Sequence, residues 1–269
     1  MNTTSTASFA ITRVVAEDRQ LLDDVVAIEE PLEIAAAWTA ADGPRERTVS
    51  VTMRTPGDDF DLAAGLLFAE GLVRTSRDIA SIRHWSSPNR VRVTLAQGLE
   101  LDTSKLGRNF YSTASCGVCG KTSIDALATT AAAFRDVQAV RRAIIEPAAR
   151  ALHDAQTAFR QTGGVHGAAV VDASGAIMRL REDIGRHNAV DKVIGSMLLG
   201  GASFRDTALM VSSRAGFEIV QKAVVAGIPA LISIGAPSSL AIDLARRFNL
   251  TLIGFVRDGR FNVYAGEVR

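Results

Sequence analysis

The second half of the chain alternates strand-like and helix-like segments, and this alternation limits the possible folds more than any other feature. Apolar strand patterns cover residues 168–172, 176–180, 207–211, 230–234 and 251–256. Helical patterns cover 188–199, 217–226 and a segment that Ser238 or Ser239 caps and that ends at 248. A strand, a crossover helix and a further strand normally form a parallel pair. The order therefore predicts an α/β fold with a mixed, largely parallel sheet and helices packed on its faces.

The first half of the chain is richer in strands. Strand-like segments cover 9–15, 25–38, 47–54, 79–85 and 90–95. Pro31 is expected to break the second segment into two pieces, because proline cannot donate to a strand ladder. We expect a β-rich N-terminal subdomain with one helix over 1–110, followed by the cysteine segment and an α/β cofactor-binding domain over 111–269.

Several helices are predicted from apolar periodicity and from turn residues. The helix of the N-terminal half begins at Pro56, ends near Gly71 and has an apolar stripe formed by Phe60, Ala63, Ala64, Leu67 and Phe68. Two more helical regions are predicted over 123–134 and 139–159, the second with a break or a new start at Pro147. In the helix over 217–226, Glu218 and Lys222 are expected to pair at i, i+4.

Composition excludes several classes of function. The 269 residues are 47% hydrophobic and 22% charged, which suits a protein with a substantial core. The formal net charge is +1, so the overall charge does not indicate binding to nucleic acid. No signal-peptide pattern opens the chain, and no apolar run approaches the roughly 18 residues that cross a membrane. We expect a cytoplasmic protein with reduced thiols and no membrane association. A homodimer is expected only because two-fold assemblies are common.

Both cysteines lie in the segment Ser115-Cys-Gly-Val-Cys-Gly120. The glycines at 117 and 120 permit the backbone conformations of a tight, exposed loop. The pair is consistent with a metal half-site, a dithiol redox couple, a persulfide relay or two inert packed residues. No strand–Cys-x-x-Cys–helix pattern of the thioredoxin type surrounds it, which argues against the redox couple.

A zinc site lacks the ligands that it needs. Tetrahedral zinc takes four ligands, and the chain has no second Cys-x-x-Cys pair. A deaminase-type site also needs an upstream His-x-Glu, whereas the only upstream histidine, His84, is followed by Trp85 and Ser86. No metal ligand is therefore predicted.

In the segment 181–192, six of the twelve residues are formally charged and one more is a histidine. If its helix extends back to Asp183, then Asp183, His187 and Asp191 share one helix face at i, i+4 steps. A carboxylate beside His187 would then fix the tautomer of the ring. A second candidate is Gly163-Gly-Val-His166-Gly167, whose glycines let backbone N–H groups converge on an anion. The alternative for both segments is an ordinary turn or a solvated helix end with exposed ion pairs.

Three further loops lie where open α/β sheets bind ligands. Ser212-Ser-Arg-Ala-Gly216 and Gly235-Ala-Pro-Ser-Ser239 place hydroxyl groups and backbone donors at helix N-termini, which attract anions. Phe255-Val-Arg-Asp-Gly-Arg260 supplies two guanidinium groups around a glycine turn, and arginine suits phosphate groups and heterocycle edges. Together these loops predict a site for a large phosphate-bearing ligand.

Four segments, in this order, are similar to those of one known family. They are Ser115-Cys-Gly-Val-Cys-Gly120, Gly163-Gly-Val-His166, Asp183-Ile-Gly-Arg-His-Asn-Ala-Val-Asp-Lys192, and Ser213-Arg214 with Glu218 and Lys222. The chain resembles the FdhD family of formate dehydrogenase accessory sulfurtransferases from about Val25 to Tyr264. The resemblance implies a layered α/β fold similar to that of cytidine deaminases, without the zinc chemistry.

The resemblance also implies a function. A member takes sulfane sulfur from a cysteine desulfurase as a cysteine persulfide. It passes the sulfur to the molybdenum (or tungsten) bis(molybdopterin guanine dinucleotide) cofactor, which then enters formate dehydrogenase. The alternative from another class is a non-catalytic chaperone that binds the molybdenum cofactor and docks on formate dehydrogenase.

By position, the resemblance implies that Cys116 carries the persulfide and that Cys119 is its partner. The implied cofactor-binding stretch is Phe255, Val256, Arg257, Asp258, Gly259 and Arg260. Arg214, His166 and His187 are expected to line the same pocket, and a guanine nucleotide such as GDP is expected to bind there as a surrogate. One departure concerns Arg214: many members are expected to have Gly-Arg-x-Ser where this chain has Ser-Arg-Ala-Gly216.

Overall fold

The computed structural model describes residues 4–101 and 131–269. The strands are β1 Thr6–Val15, β2 Asp18–Ala27, β3 Glu30–Ala40, β4 Gly43–Arg54, β5 Ile79–Trp85, β6 Ser87–Leu95, β7 His166–Val171, β8 Ile177–Asp183, β9 Ala208–Val211, β10 Ala230–Ser233, β11 Thr251–Arg257 and β12 Arg260–Ala265. The helices are α1 Asp59–Ala69, α2 Arg142–Ala155, α3 Thr157–Thr162, α4 Arg186–Leu199, α5 Phe217–Ala226 and α6 Ser239–Arg247, and a 3-10 turn lies at Ser76–Asp78. The cysteine segment and most of the predicted helix over 123–134 lie outside the described residues. Residues 131–134 are not helical, so that prediction is wrong at its end.

Strands β1 and β2 form an antiparallel hairpin that pairs with no other strand of the described ranges. The break expected at Pro31 falls instead at residues 28–29, between β2 and β3. Pro31 lies inside β3, opposite Met53 of β4. It is tolerated there because the other neighbour of β3, strand β6, begins to pair only at Glu33.

The N-terminal sheet has four strands in the order β4-β3-β6-β5, and helix α1 covers one of its faces. Alternating residues of β3 and β6 meet Leu62 and Leu67 of α1 in a core without solvent exposure. The predicted stripe of α1 was wrong at Phe60, which is 39% exposed and packs on the ring of His84 instead. The helix therefore presents Leu62 rather than Phe60 to the sheet.

The C-terminal sheet has six strands in the order β12-β11-β10-β9-β7-β8. Strands β9, β10 and β11 are parallel, and the outer strands pair antiparallel with their neighbours. The mixed α/β sheet is thus confirmed, but parallel pairing is confined to its centre. The hairpins β7–β8 and β11–β12 flank the two strand–helix–strand crossovers and account for the antiparallel pairs.

Helices cover both faces of this sheet. Helix α2 packs on one face, and α4, α5 and α6 pack on the other. Pro147 lies inside α2, so the predicted break there was wrong. The buried residues Ile144, Ile145 and Leu152 lie on both sides of Pro147, and their packing offsets the one hydrogen bond that proline removes. Among the described residues, no helix has the length and apolar character needed to cross a membrane.

Helices α1 and α4 cross at two glycines and join the two sheets. A Cβ atom on Gly65 would lie 1.8 Å from the carbonyl oxygen of Asp191, and one on Gly195 would lie 1.9 Å from that of Asp61. Only glycine allows the two backbones to approach this closely. Leu198, near the end of α4, reaches the core of the N-terminal sheet. The predicted boundary near residue 110 stays a prediction.

Candidate functional site

The candidate site lies at one edge of the six-stranded sheet, where β9, β10 and β11 end. Because β7 runs antiparallel to β9, its first residue, His166, lies at the same edge. Asp183, the last residue of β8, is the cross-strand partner of His166. We call this edge the carboxyl edge and define it by His166, Asp183, Ser212 and Gly235. Helices α4, α5 and α6 all begin there, so the positive ends of three helix dipoles are close together.

His166 is half-buried at the carboxyl edge. Burial lowers the pKa of His166 below its ordinary value of 6.5, and the charge of Arg186 lowers it further, while Asp183 opposes the shift. The imidazole is therefore neutral at neutral pH and offers one donor and one acceptor nitrogen. Next to it, the Gly167 N–H donates to the Ser212 hydroxyl over 2.9 Å, and the Ser212 N–H donates back to the Gly167 carbonyl over 2.9 Å.

His187 lies in the first turn of α4, and its carboxylate partner is Glu218 of α5. His187 Nε2 is 2.7 Å from Glu218 Oε2, although the pair lacks the alignment of a hydrogen bond. The contact with His187 lowers the pKa of Glu218, and partial burial of the carboxylate opposes the shift. The expected i, i+4 pair of Glu218 and Lys222 was wrong, since each residue pairs with a residue of α4 instead.

The predicted arrangement of Asp183, His187 and Asp191 on one helix face was also wrong. Helix α4 begins at Arg186, after the N-cap Gly185, so Asp183 belongs to a strand. Asp191 lies inside the protein, where both of its carboxylate oxygens accept hydrogen bonds from Lys222 Nζ at 2.7 and 2.9 Å. Burial raises the pKa of Asp191, and Lys222 opposes that shift. Burial lowers the pKa of Lys222, but Asp191 and Glu70 more than offset this and leave it raised.

Asp183 holds the carboxyl edge against the N-terminal half. Its side chain is fully buried and lies 2.7 Å from the Nζ of Lys192, which is 1% exposed. It also accepts hydrogen bonds from the backbone N–H groups of Thr55 and Gly185 and from the amide of Asn188. Lys192 donates to the Thr55 carbonyl over 2.8 Å. These charged residues of segment 181–192 therefore position the edge and do not face a ligand.

The loops after β9 and β10 support each other. Ser233 donates its hydroxyl hydrogen bond to the Ser213 carbonyl over 2.7 Å, and Ser213 is buried. Ser238 caps α6, as predicted, by accepting from the Ala241 N–H over 3.2 Å. Several hydroxyl groups expected to bind an anion are thus bonded to the protein, whereas Arg214 is exposed to solvent.

The hairpin of β11 and β12 continues beyond the carboxyl edge. Phe255 has a φ of 56°, which is strained for an aromatic residue, and the residue is 42% exposed. The Phe255 N–H donates to the Gly235 carbonyl over 3.1 Å, which ties the hairpin to the loop after β10. Strain of this kind is often found where a side chain must be presented to a ligand.

Comparison with known proteins places the chain in a family. Residues 27–269 match the model of the FdhD/NarQ family. The chain belongs to the FdhD/NarQ family. It is 45% identical to the sulfur carrier protein FdhD of Streptomyces avermitilis, over 91% of this chain and 89% of that protein. It is 42% identical to that of Picrophilus torridus, over 95% of each chain. The crystal structure of a protein from Desulfotalea psychrophila, assigned as a formate dehydrogenase accessory protein, superposes with a TM-score of 0.76 at 28% identity and covers 98% of each chain.

The structure brings some of the residues expected from the FdhD resemblance together and separates others. His166, with Arg186 nearby, and His187 lie on the side of the carboxyl edge that faces α4 and α5. Arg257 and Arg260 face each other across the exposed hairpin. The turn of this hairpin lies beside α2, on the other face of the sheet from α4 and α5. A Cβ atom on Gly259 in the turn would be 3.7 Å from a carboxylate oxygen of Glu146 in α2.

The remaining residues of the FdhD stretch differ in exposure. Val256 is 3% exposed and packs in the core with α2, whereas Asp258 is exposed at the hairpin turn with a φ of 51°. Cys116 and Cys119 lie outside the described residues. Sequence reasoning did not predict two neighbours of the histidines. Arg186, which lies near His166, belongs to the charged segment 181–192 and could have been considered there. Glu218, which contacts His187, was instead predicted to pair with Lys222.

Proposed function

We propose that this protein is a sulfur carrier that serves formate dehydrogenase. It takes sulfane sulfur from a cysteine desulfurase as a persulfide on Cys116 and passes it to the molybdenum bis(molybdopterin guanine dinucleotide) cofactor. The observation that carries the proposal is the FdhD/NarQ match over 27–269, with relatives named sulfur carrier protein FdhD. We also propose that the protein is cytoplasmic, that it forms a homodimer, and that its layered α/β fold is similar to that of cytidine deaminases.

The first transfer is a thiol–persulfide exchange. The Cys116 thiolate attacks the terminal sulfur of the desulfurase persulfide, a new S–S bond forms on Cys116, and the desulfurase thiolate leaves. Delivery of that sulfur to the metal as sulfide requires two electrons. Cys119 supplies them in this scheme: its thiolate attacks the Cys116 sulfur, forms a disulfide with it and releases hydrosulfide.

The cofactor is a substrate, and its guanine nucleotide portion is assigned to the carboxyl edge and the β11–β12 hairpin. The exposed guanidinium groups of Arg257, Arg260 and Arg214 suit pyrophosphate or a guanine edge. The exposed ring of Phe255 offers a surface on which a heterocycle can stack. The neutral His166 adds one donor and one acceptor next to the beginning of α4.

Loading with sulfur tests the carrier function directly. The protein is incubated with a cysteine desulfurase and free cysteine, and its intact mass is measured without reductant. We expect a gain of one sulfur atom that disappears in Cys116→Ala and persists in Cys119→Ala. A protein that gains no sulfur but still binds the cofactor would favour the non-catalytic chaperone.

Calorimetric titration with GDP tests the position of the nucleotide site. We expect Arg260→Ala to weaken GDP binding by roughly tenfold or more, as loss of a charged contact usually does. Sulfur loading should be unchanged in this variant. Arg205→Ala is a matched control, because Arg205 is also exposed but precedes β9 at the opposite edge of the sheet. Equal GDP affinities for wild type and Arg260→Ala would show that the nucleotide binds elsewhere.

A further inference from the structure

A hollow lies at the edge of the six-stranded sheet where β9, β10 and β11 begin, opposite the carboxyl edge. We call it the amino-edge hollow and define it by Arg141, Asp172, Asp206, Ala230 and Arg269, which are among its lining residues. Its volume is about 290 Å³. Pockets for drug-sized ligands and cofactors begin at about 300 Å³, so this hollow suits a small molecule and not a dinucleotide.

The inner surface of the amino-edge hollow is apolar. Ala208 and Ala230, the first residues of β9 and β10, lie side by side in the sheet. Val140 and Ile144 line the same space from the segment that leads into α2, and all four residues are buried. Because two of these side chains are single methyl groups, a short apolar group can enter between them and be shielded from water.

Two carboxylates lie on the β7 side of the hollow. Asp172 follows Val171, which pairs with Ala208, and Asp206 precedes Ala208 by two positions. The hydroxyl and the backbone N–H of Ser174 donate to Asp172 Oδ1 over 2.6 and 2.8 Å, which fixes the orientation of this side chain. The Ser174 hydroxyl also holds the pKa of Asp172 below its ordinary value, so the group is ionised at neutral pH.

Positive groups lie on the β11 side of the same hollow. The Gln138 carbonyl accepts a hydrogen bond from Thr251, the first residue of β11. Arg141 and Arg269 are neighbours there, since the Arg269 N–H donates to the Val140 carbonyl over 3.0 Å, and both are exposed. Arg141 is also the N-cap of α2, a helix of 14 residues whose positive dipole end adds to the charge.

The two sets of charges are separated across the sheet. Strands β10 and β9 lie between β11 and β7, so these outer strands are three strand spacings apart, or about 14 Å. In the described part of the chain, no ion pair joins the two aspartates to the two arginines. Each side therefore keeps two like charges near each other, and a ligand group of opposite sign would relieve their repulsion.

This separation selects a ligand that carries both charges. The aspartates repel phosphate and the arginines repel a metal ion. No group of three or more His, Cys, Asp or Glu residues that could hold a metal is present in the described ranges. We infer that the amino-edge hollow binds a free α-amino acid with a short apolar side chain, with its ammonium group at Asp172 and Asp206 and its carboxylate at Arg141 and the start of α2. This inference goes beyond the proposed function, and its test involves neither sulfur nor nucleotide.

NMR titration of the ¹⁵N-labelled full chain with L-alanine tests the inference. We expect saturable shifts of the amide signals of Ala173, Thr207 and Ala208, which line the hollow. N-acetylalanine lacks the ammonium group and alaninamide lacks the carboxylate, so each should bind roughly tenfold more weakly or worse. Absence of saturable shifts with L-alanine, shifts centred elsewhere, or equal binding of the two blocked compounds would each overturn the inference.

Two variants assign the charges to their sides of the hollow. Asp206→Asn and Arg141→Gln should each weaken L-alanine binding by roughly tenfold or more. Arg141→Gln should leave the affinity for alaninamide unchanged, because that compound has no carboxylate to lose a contact; a variant that had merely misfolded would lose both ligands. Arg205→Ala is the matched control, since Arg205 is exposed at the same edge but lines only an adjoining hollow. A loss of affinity in Arg205→Ala equal to that in Arg141→Gln would show that the hollow is not the site.

Discussion

Replacing Gly195 with alanine tests the crossing of α1 and α4, on which the joining of the two sheets depends. The new Cβ would lie 1.9 Å from the Asp61 carbonyl oxygen and 2.7 Å from the Gly65 nitrogen. Ordinary contact begins near 3.4 Å. The helices must therefore separate by about 1.5 Å, because a backbone carbonyl cannot rotate away as a side chain can.

The expected change in the free energy of unfolding of Gly195→Ala follows from two opposing effects. Alanine in place of glycine within a helix favours folding by about 1 kcal/mol. Overpacking a core by one methyl group usually costs about 1–3 kcal/mol, and a clash with backbone lies at or beyond the upper end. Separation would also stretch the ion pair between Arg181 and Asp61, which now measures 2.8 Å. We expect Gly195→Ala to lower the free energy of unfolding by about 2–4 kcal/mol.

Urea unfolding followed by circular dichroism and by tryptophan fluorescence provides the assay. Trp38 and Trp85 are the only tryptophans and both lie in the N-terminal sheet, so fluorescence reports on that half of the molecule. Gly164→Ala is the matched control, since a Cβ there has no neighbour closer than 3.7 Å. It should be neutral or stabilise by about 0.4–1 kcal/mol. If Gly195→Ala stays within about 1 kcal/mol of wild type, the helices do not depend on this close approach.

Three further predictions concern the charged groups around α4 and α5. Lys222→Met should cost about 3–5 kcal/mol by leaving Asp191 buried without its cation, and Asp191→Asn in the same chain should recover part of that loss in urea unfolding. The pKa of His166 is lowered in the folded protein, so the unfolded chain binds a proton at His166 more readily. Wild type should therefore lose stability as the pH falls below 6.5. In thermal unfolding, His166→Asn should flatten this dependence of stability on pH. A flat wild-type profile would contradict the environment assigned to His166. NMR titration should show the pKa of Glu218 rising in His187→Asn, and an unchanged value would mean that His187 does not stabilise that carboxylate.

Predictions from local pattern succeeded where one periodicity dominated. The apolar stripe from Ala189 to Leu198 located α4, and the buried strands β9 and β10 were found as short apolar runs. Pro31 and Pro147 were misjudged for a common reason. Proline disrupts a strand or helix only where its missing N–H had a partner to lose or packing cannot compensate, and both conditions depend on neighbours that are distant in sequence.

The chemical inventory of the site could be predicted, but the pairing of its groups could not. The sequence identified His166, His187, Asp183 and the hairpin stretch as polar groups at strand or helix ends. It could not show that Asp183 ends a strand or that Glu218 approaches His187 from another helix. Ion pairs between elements depend on how those elements pack, which local spacing does not specify.

The sequence by itself determined the order of strands and helices from β7 to β11, the family to which the chain belongs, and the residue types available for chemistry. Each follows from local periodicity or from motifs that are contiguous along the chain. Tertiary structure alone decided that β7 and β8 bring His166 and Asp183 to the ends of the parallel strands. It alone decided that Gly65 and Gly195 bring two helix backbones into contact. The physical reason is that these contacts join residues far apart in sequence, so they form only when the sheets and helices pack.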